Sequence, residues 1–320
     1  MSLLIKKEGI LTTVQDLGRD GFQRLGINPN GVMDRTAARL INLILGNDQN
    51  EAVLEMHFPG GEILFEKDMV FALGGAAFDA VLAEKPIENW RSNGTKNGDV
   101  LKFTKKLIGN RTYLAVKGGF KLEKWLGSAS TNMTANVGGF NGRKLRKGDR
   151  IHFNIESTSK QESLTPGISN SLIPVYSRFP TVRFIAGAEF ELLTALSQHV
   201  LLNEGFVISN DSNRMGFRLQ GKALYPLYAK ELISSAVTFG TIQLLPDGQV
   251  IILMADHQTS GGYPRIANVI AKDLPVLAQL GPGDKVAFQL ISLEAAEQIM
   301  LEFENDINLL KTGLALGRYR

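Results

Sequence analysis

Residues 249–265 read QVIILMADHQTSGGYPR, and this stretch carries the strongest signal for both a strand and a site. The run from Val250 to Ala255 is continuously apolar, which is typical of a buried strand. It is followed at once by a carboxylate, an imidazole, an amide, two hydroxyls, two glycines and Tyr-Pro. A simple chain reversal needs only one glycine or an Asn-Gly pair. The stretch therefore predicts a buried strand that delivers polar groups to a ligand.

The polar part of this stretch predicts the lining of a pocket. Side chains alternate along an extended segment, so we expect Asp256 and Gln258 on one side and His257 on the other. Asp256 is a catalytic candidate, and the paired glycines allow backbone N–H groups to approach a ligand. The substrate-binding candidates here are Gln258, Thr259, Gly261, Gly262 and Tyr263. The alternative is a long loop whose polar groups bind its own backbone.

Short strand-like runs separated by Gly, Asn and Asp dominate the rest of the chain. Glycine accounts for 33 of the 320 residues. Glycine-rich strands with few crossover helices favour antiparallel barrels over a doubly wound parallel sheet. The predicted fold class is therefore mainly β with a few helices. The strand candidates are GEILF (61–65), DMVFAL (68–73), DVLKF (99–103), TYLAV (112–116), DRIHF (149–153), TVRFIA (181–186), FVIS (206–209), QVIILMA (249–255) and KVAFQLI (285–291).

Three segments show a helical pattern. Residues 33–47 place apolar side chains on one face and end in Gly46-Asn47, a C-terminal cap signal. Residues 267–280 predict a second helix, although Pro275 interrupts the pattern. Residues 292–310 predict a third, with acidic residues in its first turns.

Three sequence matches, in the same order, relate the two halves of the chain. The pairs are GAAFDAVL (75–82) with GAEFELLT (187–194), YLAVKGGF (113–120) with 251–263, and LRKGDRIHF (145–153) with LGPGDKVAF (280–288). A segment rich in Ser, Thr and Pro, 154–177, separates the halves and predicts a linker. We infer the duplication of one β-rich unit. The predicted domains are barrels at 1–160 and 178–304, followed by a C-terminal tail at 305–320.

Two further polar segments are candidate sites. Arg214 and Arg218 lie four residues apart among Asn, Asp, Ser and Gly, as in a clamp for a carboxylate or a phosphate. Solvated surface is the alternative reading of these arginines. A long loop before the first helix carries Asp16 and Asp34, which are further catalytic candidates. Asp34 could instead be the N-terminal carboxylate of that helix.

Composition and missing motifs exclude several classes of protein. The 35 Lys and Arg residues and 32 Asp and Glu residues give a net charge of +3 without a basic stripe, so no nucleic-acid partner is expected. Cysteine is absent, and the four histidines lack metal-ligand spacing, so we expect no metal site built on them. No Walker A motif is present. The N-terminus lacks the apolar core of a signal peptide, and no apolar run reaches about 18 residues. We expect a cytoplasmic protein without a membrane partner.

Long motifs within residues 3–300 resemble one family. They are TTVQDLGRDGFQRLGINPNGVMDRTAARLINLILGN (12–47), AVLEMHFPGG (52–61), YLAVKGGF with LGSAST (113–131), SNRMGFRLQG (212–221) and GTIQLLPDGQVIILMADHQTSGGYP (240–264). In this order they are similar to the biotin-dependent carboxyltransferase/allophanate hydrolase subunit 2 family. That family more often has Arg at the position of His257, and a neutral imidazole is a poorer anion clamp. The YLAVKGGF motif adds Lys117, Gly118 and Gly119 as substrate-binding candidates.

The resemblance implies a fold of two cyclophilin-like β-barrels. It also implies the role of the C subunit in an ATP-dependent 5-oxoprolinase, which opens 5-oxo-L-proline to L-glutamate with the help of an A subunit and a KipI-like B subunit. ATP and Mg²⁺ would then bind at a site shared with the B subunit, no cofactor would be attached covalently, and the chain alone would be inactive. Two alternatives remain: a biotin-dependent carboxyltransferase acting on a urea-like amide, and a KipA-like regulator that antagonises a histidine-kinase inhibitor.

Overall fold

The computed structural model describes residues 2–154, 167–228 and 232–318. The chain divides into two compact units. The N-terminal unit comprises Met1–Arg19, Asn30–Val175 and Asp306–Arg320, and the C-terminal unit comprises Asp20–Pro29 and Tyr176–Asn305. Within the predicted linker, residues 155–166 lie outside the described residues, and residues 167–177 form no helix or strand.

A curled antiparallel sheet forms the N-terminal unit. Within the described ranges its strands are β1 (Ser2–Lys7), β2 (Thr12–Gln15), β3 (Val53–His57), β4 (Glu62–Phe65), β5 (Met69–Leu82), β6 (Lys85–Ile87), β7 (Ser92–Thr95), β8 (Val100–Val116) and β9 (Arg150–His152). Hydrogen bonds join them in the order β2-β3-β8-β4-β1-β9, and β5 pairs with β6, β7 and β8. The long strands β5 and β8 therefore hold the sheet together.

Helix α1 (Arg35–Leu45) covers one face of this sheet. Alternation along the strands sends Val53, Ala72 and Tyr113 into the core beneath α1. Their neighbours Leu54, Leu73 and Leu114 point the other way, into a second core that contains Phe65 and Phe71. Two apolar layers therefore share the same strands. The α1 side chains that are fully buried in the first core are Ala37, Ala38, Ile41 and Ile44.

A closed barrel forms the C-terminal unit. Its strands follow the order β10 (Thr181–Ala186), β17 (Arg265–Val269), β14 (Thr241–Leu244), β15 (Val250–Leu253), β12 (Gly216–Gln220), β11 (Phe206–Ile208) and β18 (Lys285–Leu290). The pair β10–β18 is parallel, and the other neighbours are antiparallel. Two short strands, β13 (Ser235–Ala236) and β16 (Ser260–Gly261), pair separately.

Alternating apolar residues fill the barrel. The rings of Phe184, Phe206 and Phe288 are buried, and Phe288 lies 6.2 Å from Phe184 and 5.7 Å from Phe206 between ring centroids. After α1, the α-helices of the described residues are α2 (Ala195–Asn203), α3 (Leu274–Ala278) and α4 (Leu293–Arg318). The residues from 305 onward, predicted as a tail, are described as a continuation of α4 as far as Arg318.

The mainly-β prediction is confirmed, and each of the nine strand candidates contains a strand. The candidates DVLKF and TYLAV are the two ends of one 17-residue strand, β8. The helix predicted at 267–280 is wrong over most of its length. Residues as far as Val269 instead pair with β10 and β14 as strand β17. Only the five residues of α3 are helical, and Pro275 lies in its first turn, where a missing N–H costs little.

The third pair of matched sequences makes the same turn twice. Gly148 and Gly283 have φ of +92° and +84°. The Gly148 N–H donates to Ile5 O, and the Gly283 N–H donates to Ile208 O. The next residue in each copy is an aspartate whose carboxylate accepts from the backbone N–H three residues earlier and binds an arginine. The shared hydrogen bonds agree with the duplication inferred from the sequence.

In the part of the chain that the structure describes, no helix has both the length and the apolar composition needed to cross a bilayer.

Asp34 begins α1 as its N-cap. The Asp34 Oδ1 accepts the N–H of Ala37 at 2.8 Å, and the helix ends at Gly46 with φ of +77°, as the cap signal predicts. Replacing Asp34 by Ala leaves an N–H of the first turn without its acceptor. We expect the variant to lose about 1 kcal/mol of unfolding free energy in urea titrations, with Asp34→Asn losing less because its amide oxygen can still cap. Unchanged stability in Asp34→Ala would contradict the capping role.

Candidate functional site

The stretch after β15 turns instead of continuing as an extended strand. The N–H of His257 donates to Met254 O at 3.0 Å, which closes a turn over Ala255 and Asp256. The expectation of an extended segment is therefore wrong at Asp256, although burial still alternates, with His257 buried between the half-buried Asp256 and the exposed Gln258. Gln258 is exposed, and Thr259 is half-buried.

Asp256 pairs with Arg214 in two-point geometry. Arg214 Nε and Nη2 donate to Asp256 Oδ2 and Oδ1 at 2.8 and 3.0 Å. The side chains keep only 5% and 12% of their accessible surface, so water screens the pair weakly. The Asp256 N–H also donates to Arg214 O at 2.8 Å. The structure thus unites two candidates that the sequence placed in separate sites, and the ion pair ties their two loops together.

The second arginine of the predicted clamp does not join this pair. Arg218 lies on β12 with an exposed side chain, whereas its strand neighbours Phe217 and Leu219 point into the barrel. No ion pair of Arg218 occurs among the described residues. The clamp therefore resolves into one buried arginine and one solvated arginine.

His257 is buried behind the turn. Its Nδ1 is within hydrogen-bond distance of Gln258 O. Burial lowers the pKa of His257 below its usual value of 6.5, because a protonated ring would lose its hydration. The imidazole is therefore neutral at neutral pH and carries no charge for anion binding.

An apolar cleft of about 540 Å³ opens beside the end of the stretch. Gly262, Tyr263 and Pro264 line it, together with Tyr225, Tyr228 and several leucines and prolines. Asp256, Gln258, Thr259 and Gly261 are not part of this lining. The two glycines, Gly261 and Gly262, also differ in the space around them. A Cβ at Gly262 would lie 3.4 Å from Ser234 Oγ, an ordinary contact, whereas a Cβ at Gly261 would lie 2.6 Å from Gln243 Nε2.

Gln243 is a residue of this region that the sequence patterns did not single out. Its side chain on β14 is buried, and Nε2 donates weakly to Tyr263 O at 3.4 Å. Within the described ranges its Oε1 accepts no hydrogen bond. A glutamine inside the strand TIQL, between apolar neighbours, was the available sequence signal, since buried amides need partners.

Asp16 lies in the N-terminal unit and is fully engaged. Its Oδ1 accepts from Gly18 N and from the hydroxyls of Ser128 and Ser130 at 2.8, 2.6 and 2.6 Å. Its Oδ2 accepts from Ala129 N at 2.6 Å. The carboxylate therefore organises the LGSAST motif, which forms no regular element around Asp16. Asp34 likewise has a structural role as the cap of α1.

The candidates Lys117, Gly118 and Gly119 follow β8 as a tight turn. The N–H of Gly118 donates to Asn47 Oδ1 at 2.9 Å, and that of Gly119 donates to Val116 O at 3.0 Å. Their donors thus serve the fold. Gly119 has φ of +76°, and a Cβ there would overlap the Glu51 carboxyl group, so only glycine fits.

A buried polar pair beneath α1 was also missed. Glu55 Oε2 accepts from Tyr113 Oη and from Met33 N, both at 2.8 Å. Tyr113 in turn accepts the N–H of Asp34 at 2.9 Å. Burial and the neighbouring Glu55 raise the pKa of Tyr113 well above its usual value, so the phenol keeps its proton. The signal was a glutamate at an inward position of the apolar strand VLEMH.

The three candidate carboxylates do not converge on a metal. Asp16 binds amides and hydroxyls, Asp34 caps a helix, and Asp256 binds a guanidinium. Among the described residues, no group of three or more His, Asp or Glu side chains is arranged to hold a metal ion. This donor set therefore does not fit a Mg²⁺ site within the chain.

Comparison with known proteins gives consistent relatives. The family described as carboxyltransferase domain, subdomain A and B, matches residues 25–290. The chain is 38% identical over 297 residues to the C subunit of 5-oxoprolinase from Haemophilus influenzae, with 93% of each protein covered. It is 38% identical over 296 residues to the protein of the same name in Escherichia coli, covering 92% of this chain and 93% of that protein.

A solved structure extends the likeness to a larger protein. The urea amidolyase of Kluyveromyces lactis superposes with a TM-score of 0.91 at 28% identity, covering 97% of this chain. The chain spans only 20% of that protein's chain. The shared part is therefore one region of a longer protein.

The Arg214–Asp256 pair should contribute to folding as well as to the site. We expect Asp256→Asn to lower the free energy of unfolding by about 3 kcal/mol, since it leaves a buried guanidinium opposite a neutral amide. Combining it with Arg214→Met removes that charge, so the double variant should lose less than the sum of the two single losses, by at least about 1 kcal/mol. Urea unfolding of the four proteins measures this coupling. Additive losses would show that the two side chains act independently.

Proposed function

The chain belongs to the carboxyltransferase domain, subdomain A and B, family, and from that membership we propose that it serves as the C subunit of a 5-oxoprolinase. The observation that supports this proposal most strongly is the match to the Haemophilus influenzae C subunit over 93% of both proteins. A match over most of the length of both proteins favours the same role in an assembly. In the proposed reaction, 5-oxo-L-proline is opened to L-glutamate at the expense of ATP.

A second candidate is carboxyl transfer to a urea-like amide. The structural likeness to urea amidolyase favours it, because that likeness also covers nearly the whole of this chain. Both candidates concern a small amide. The two differ in the partner proteins that they require, which makes them separable by reconstitution.

The exposed Gln258 and half-buried Thr259 are the groups that we propose contact the amide substrate. A lactam presents its N–H and its C=O on the same side of a cis amide bond. A glutamine side chain has the complementary acceptor and donors, so one Gln can bind both groups. The Arg214–Asp256 pair would act by holding the loop that carries these residues, since Asp256 lies two residues before Gln258. This is a positioning role.

ATP and Mg²⁺ are proposed to bind at a site completed by a KipI-like B subunit, with an A subunit as the third component. Two observations support a shared site. The relatives are named as one lettered subunit of 5-oxoprolinase, which implies further subunits. Asp16, Asp34 and Asp256 are each engaged by partners within the chain, so a site for the ion needs ligands from elsewhere. ATP supplies the free energy for opening an unstrained lactam, and its supply agrees with the cytoplasmic location that we propose.

Reconstitution tests the proposed function. The purified chain alone should hydrolyse neither ATP nor 5-oxo-L-proline, because its catalytic site is shared. Addition of the A and B subunits should give ATP hydrolysis that depends on 5-oxo-L-proline, measured as phosphate and glutamate release. Full turnover by the isolated chain would contradict a shared site. Two results together would favour the second candidate. The three-protein mixture would not turn over 5-oxo-L-proline, and the chain mixed with a biotin carboxylase would carboxylate urea.

The variant Gly262→Val tests in the same assay whether the substrate binds near Gly262. The backbone at Gly262 is not in the left-handed region, and a Cβ meets only ordinary contacts, so the fold should tolerate it. The added side chain narrows the apolar cleft that Gly262 lines, and we expect reconstituted turnover to fall by tenfold or more. Lys85→Gln, on an exposed position of β6, is the matched control. Equal turnover in the two variants would argue against substrate binding at Gly262.

A further inference from the structure

A second cleft, of about 430 Å³, lies in the N-terminal unit. One wall consists of residues 121–125, and the other consists of residues 136–142. None of these residues carries a role in the reaction proposed above. The volume lies within the range of small-molecule sites in proteins.

The glycine-rich wall has a backbone suited to oxygen anions. Its residues with positive φ are Asn136, Gly138, Gly139, Asn141 and Gly142, at 55°, 69°, 53°, 55° and 63°. Left-handed residues in such a turn rotate backbone N–H groups into concave arrays that bind anions. In the described part of the chain, the N–H groups of Gly138 and Asn141 donate no hydrogen bond, whereas those of Gly139 and Gly142 are bonded internally and Phe140 forms a β-bridge with Arg143. Backbone donors therefore remain available at this wall.

This wall is held rigidly from behind. The Gly139 N–H donates to Ala129 O at 2.9 Å. A Cβ at Gly138 would overlap Ser130 O, and one at Gly139 would overlap Thr131 Oγ1. The wall thus packs directly on residues 128–131, the loop organised by Asp16. A rigid wall binds without a further cost of ordering.

The opposite wall supplies positive charge and an aromatic ring. Lys121 and Lys124 are exposed, and Glu123 is the one acidic residue in the lining. Neither lysine forms an ion pair within the described residues. Trp125 is half-buried, and the guanidinium of Arg19 lies 4.9 Å from its ring centroid.

Two groups behind this wall modify its charge. Arg19 is buried and donates to Ser130 O and Asn30 Oδ1, so its guanidinium is already engaged within the fold. Glu51 lies near Lys124, where its negative charge partly offsets the lysine. The positive charge available to a ligand therefore comes mainly from the two exposed lysines.

We propose that this cleft binds the phosphate oxygens of a small phosphorylated molecule. Phosphate suits the wall because it has several oxygens for backbone N–H groups, and because lysines bind it as point charges. The cleft has room beyond one phosphate group, and Trp125 gives a planar surface for a base. The proposal concerns this chain alone and does not rest on the 5-oxoprolinase assignment.

Trp125 provides the readout. The chain contains two tryptophans, so Trp90→Phe leaves Trp125 as the single tryptophan, and excitation selective for tryptophan avoids the tyrosines. Titrations at low salt use pyrophosphate, ATP, adenosine and glutarate, the last as a dicarboxylate. We expect pyrophosphate and ATP to change the fluorescence saturably, with dissociation constants on the order of 1 mM or tighter. ADP carries the same number of phosphates as pyrophosphate and is titrated as well: tighter binding of ADP than of pyrophosphate would identify a nucleotide, and equal binding would identify the phosphates alone. Adenosine and glutarate should give no saturable change.

Lysine variants locate the binding. Lys121→Gln and Lys124→Gln should each weaken pyrophosphate binding by about two- to fivefold, as for other exposed charge pairs. Lys85→Gln, an exposed lysine of the same unit outside this lining, should bind as the unmodified chain does. If Trp90→Phe unfolds the protein, titration calorimetry on chains that retain both tryptophans measures the same series of dissociation constants. Absence of saturable phosphate binding, glutarate binding as tight as pyrophosphate, or unchanged binding in the double lysine variant would overturn the proposal.

Discussion

Buried carboxylates need hydrogen-bond donors, and three of them hold irregular segments of this chain in place. A carboxylate removed from water loses several kcal/mol of hydration unless charged or polar donors replace it. Asp16 gathers the loop at 128–131, Asp34 begins α1, and Asp256 joins two loops of the barrel through Arg214. Each loop is long and polar, and propensity alone would not fix its shape. The shape follows from where the carboxylate finds its donors.

Local patterns predicted a large part of the regular structure, although strands β2, β3 and β14 and helix α2 were not among the candidates. Apolar runs located strands in both units, and the positions of Asp34 and Gly46 marked both ends of α1. The repeated turns at Gly148-Asp149 and Gly283-Asp284 were visible as similar sequences, and both copies have the same hydrogen bonds. The helix predicted at 267–280 was wrong because the apolar residues there fit a helix or a strand equally well. Pairing with β10 and β14, which are distant in sequence, decided between them.

The candidate site was harder to predict because its partners are remote in sequence. Asp256 and Arg214 are 42 residues apart, and Tyr113 and Glu55 are 58 apart. No periodicity links residues at such distances. Residue types could still show which groups needed a partner, as with Glu55 inside an apolar strand. The turn at Ala255 and Asp256 was also invisible, since an extended chain and a turn accept the same residues there.

The central claim is that these carboxylates shape loops, and amide hydrogen exchange at Ala129 tests it most directly. The Ala129 N–H donates to Asp16 Oδ2, so exchange should be slow in the unmodified chain. In Asp16→Asn, an amide NH₂ group replaces one carboxylate oxygen and faces donors whose hydrogen bonds that oxygen accepted. We expect exchange at Ala129 to become at least about tenfold faster, with Gly18 affected as well. Unchanged exchange at both residues, together with lost turnover in the reconstituted assembly, would contradict the claim and make Asp16 a catalytic group.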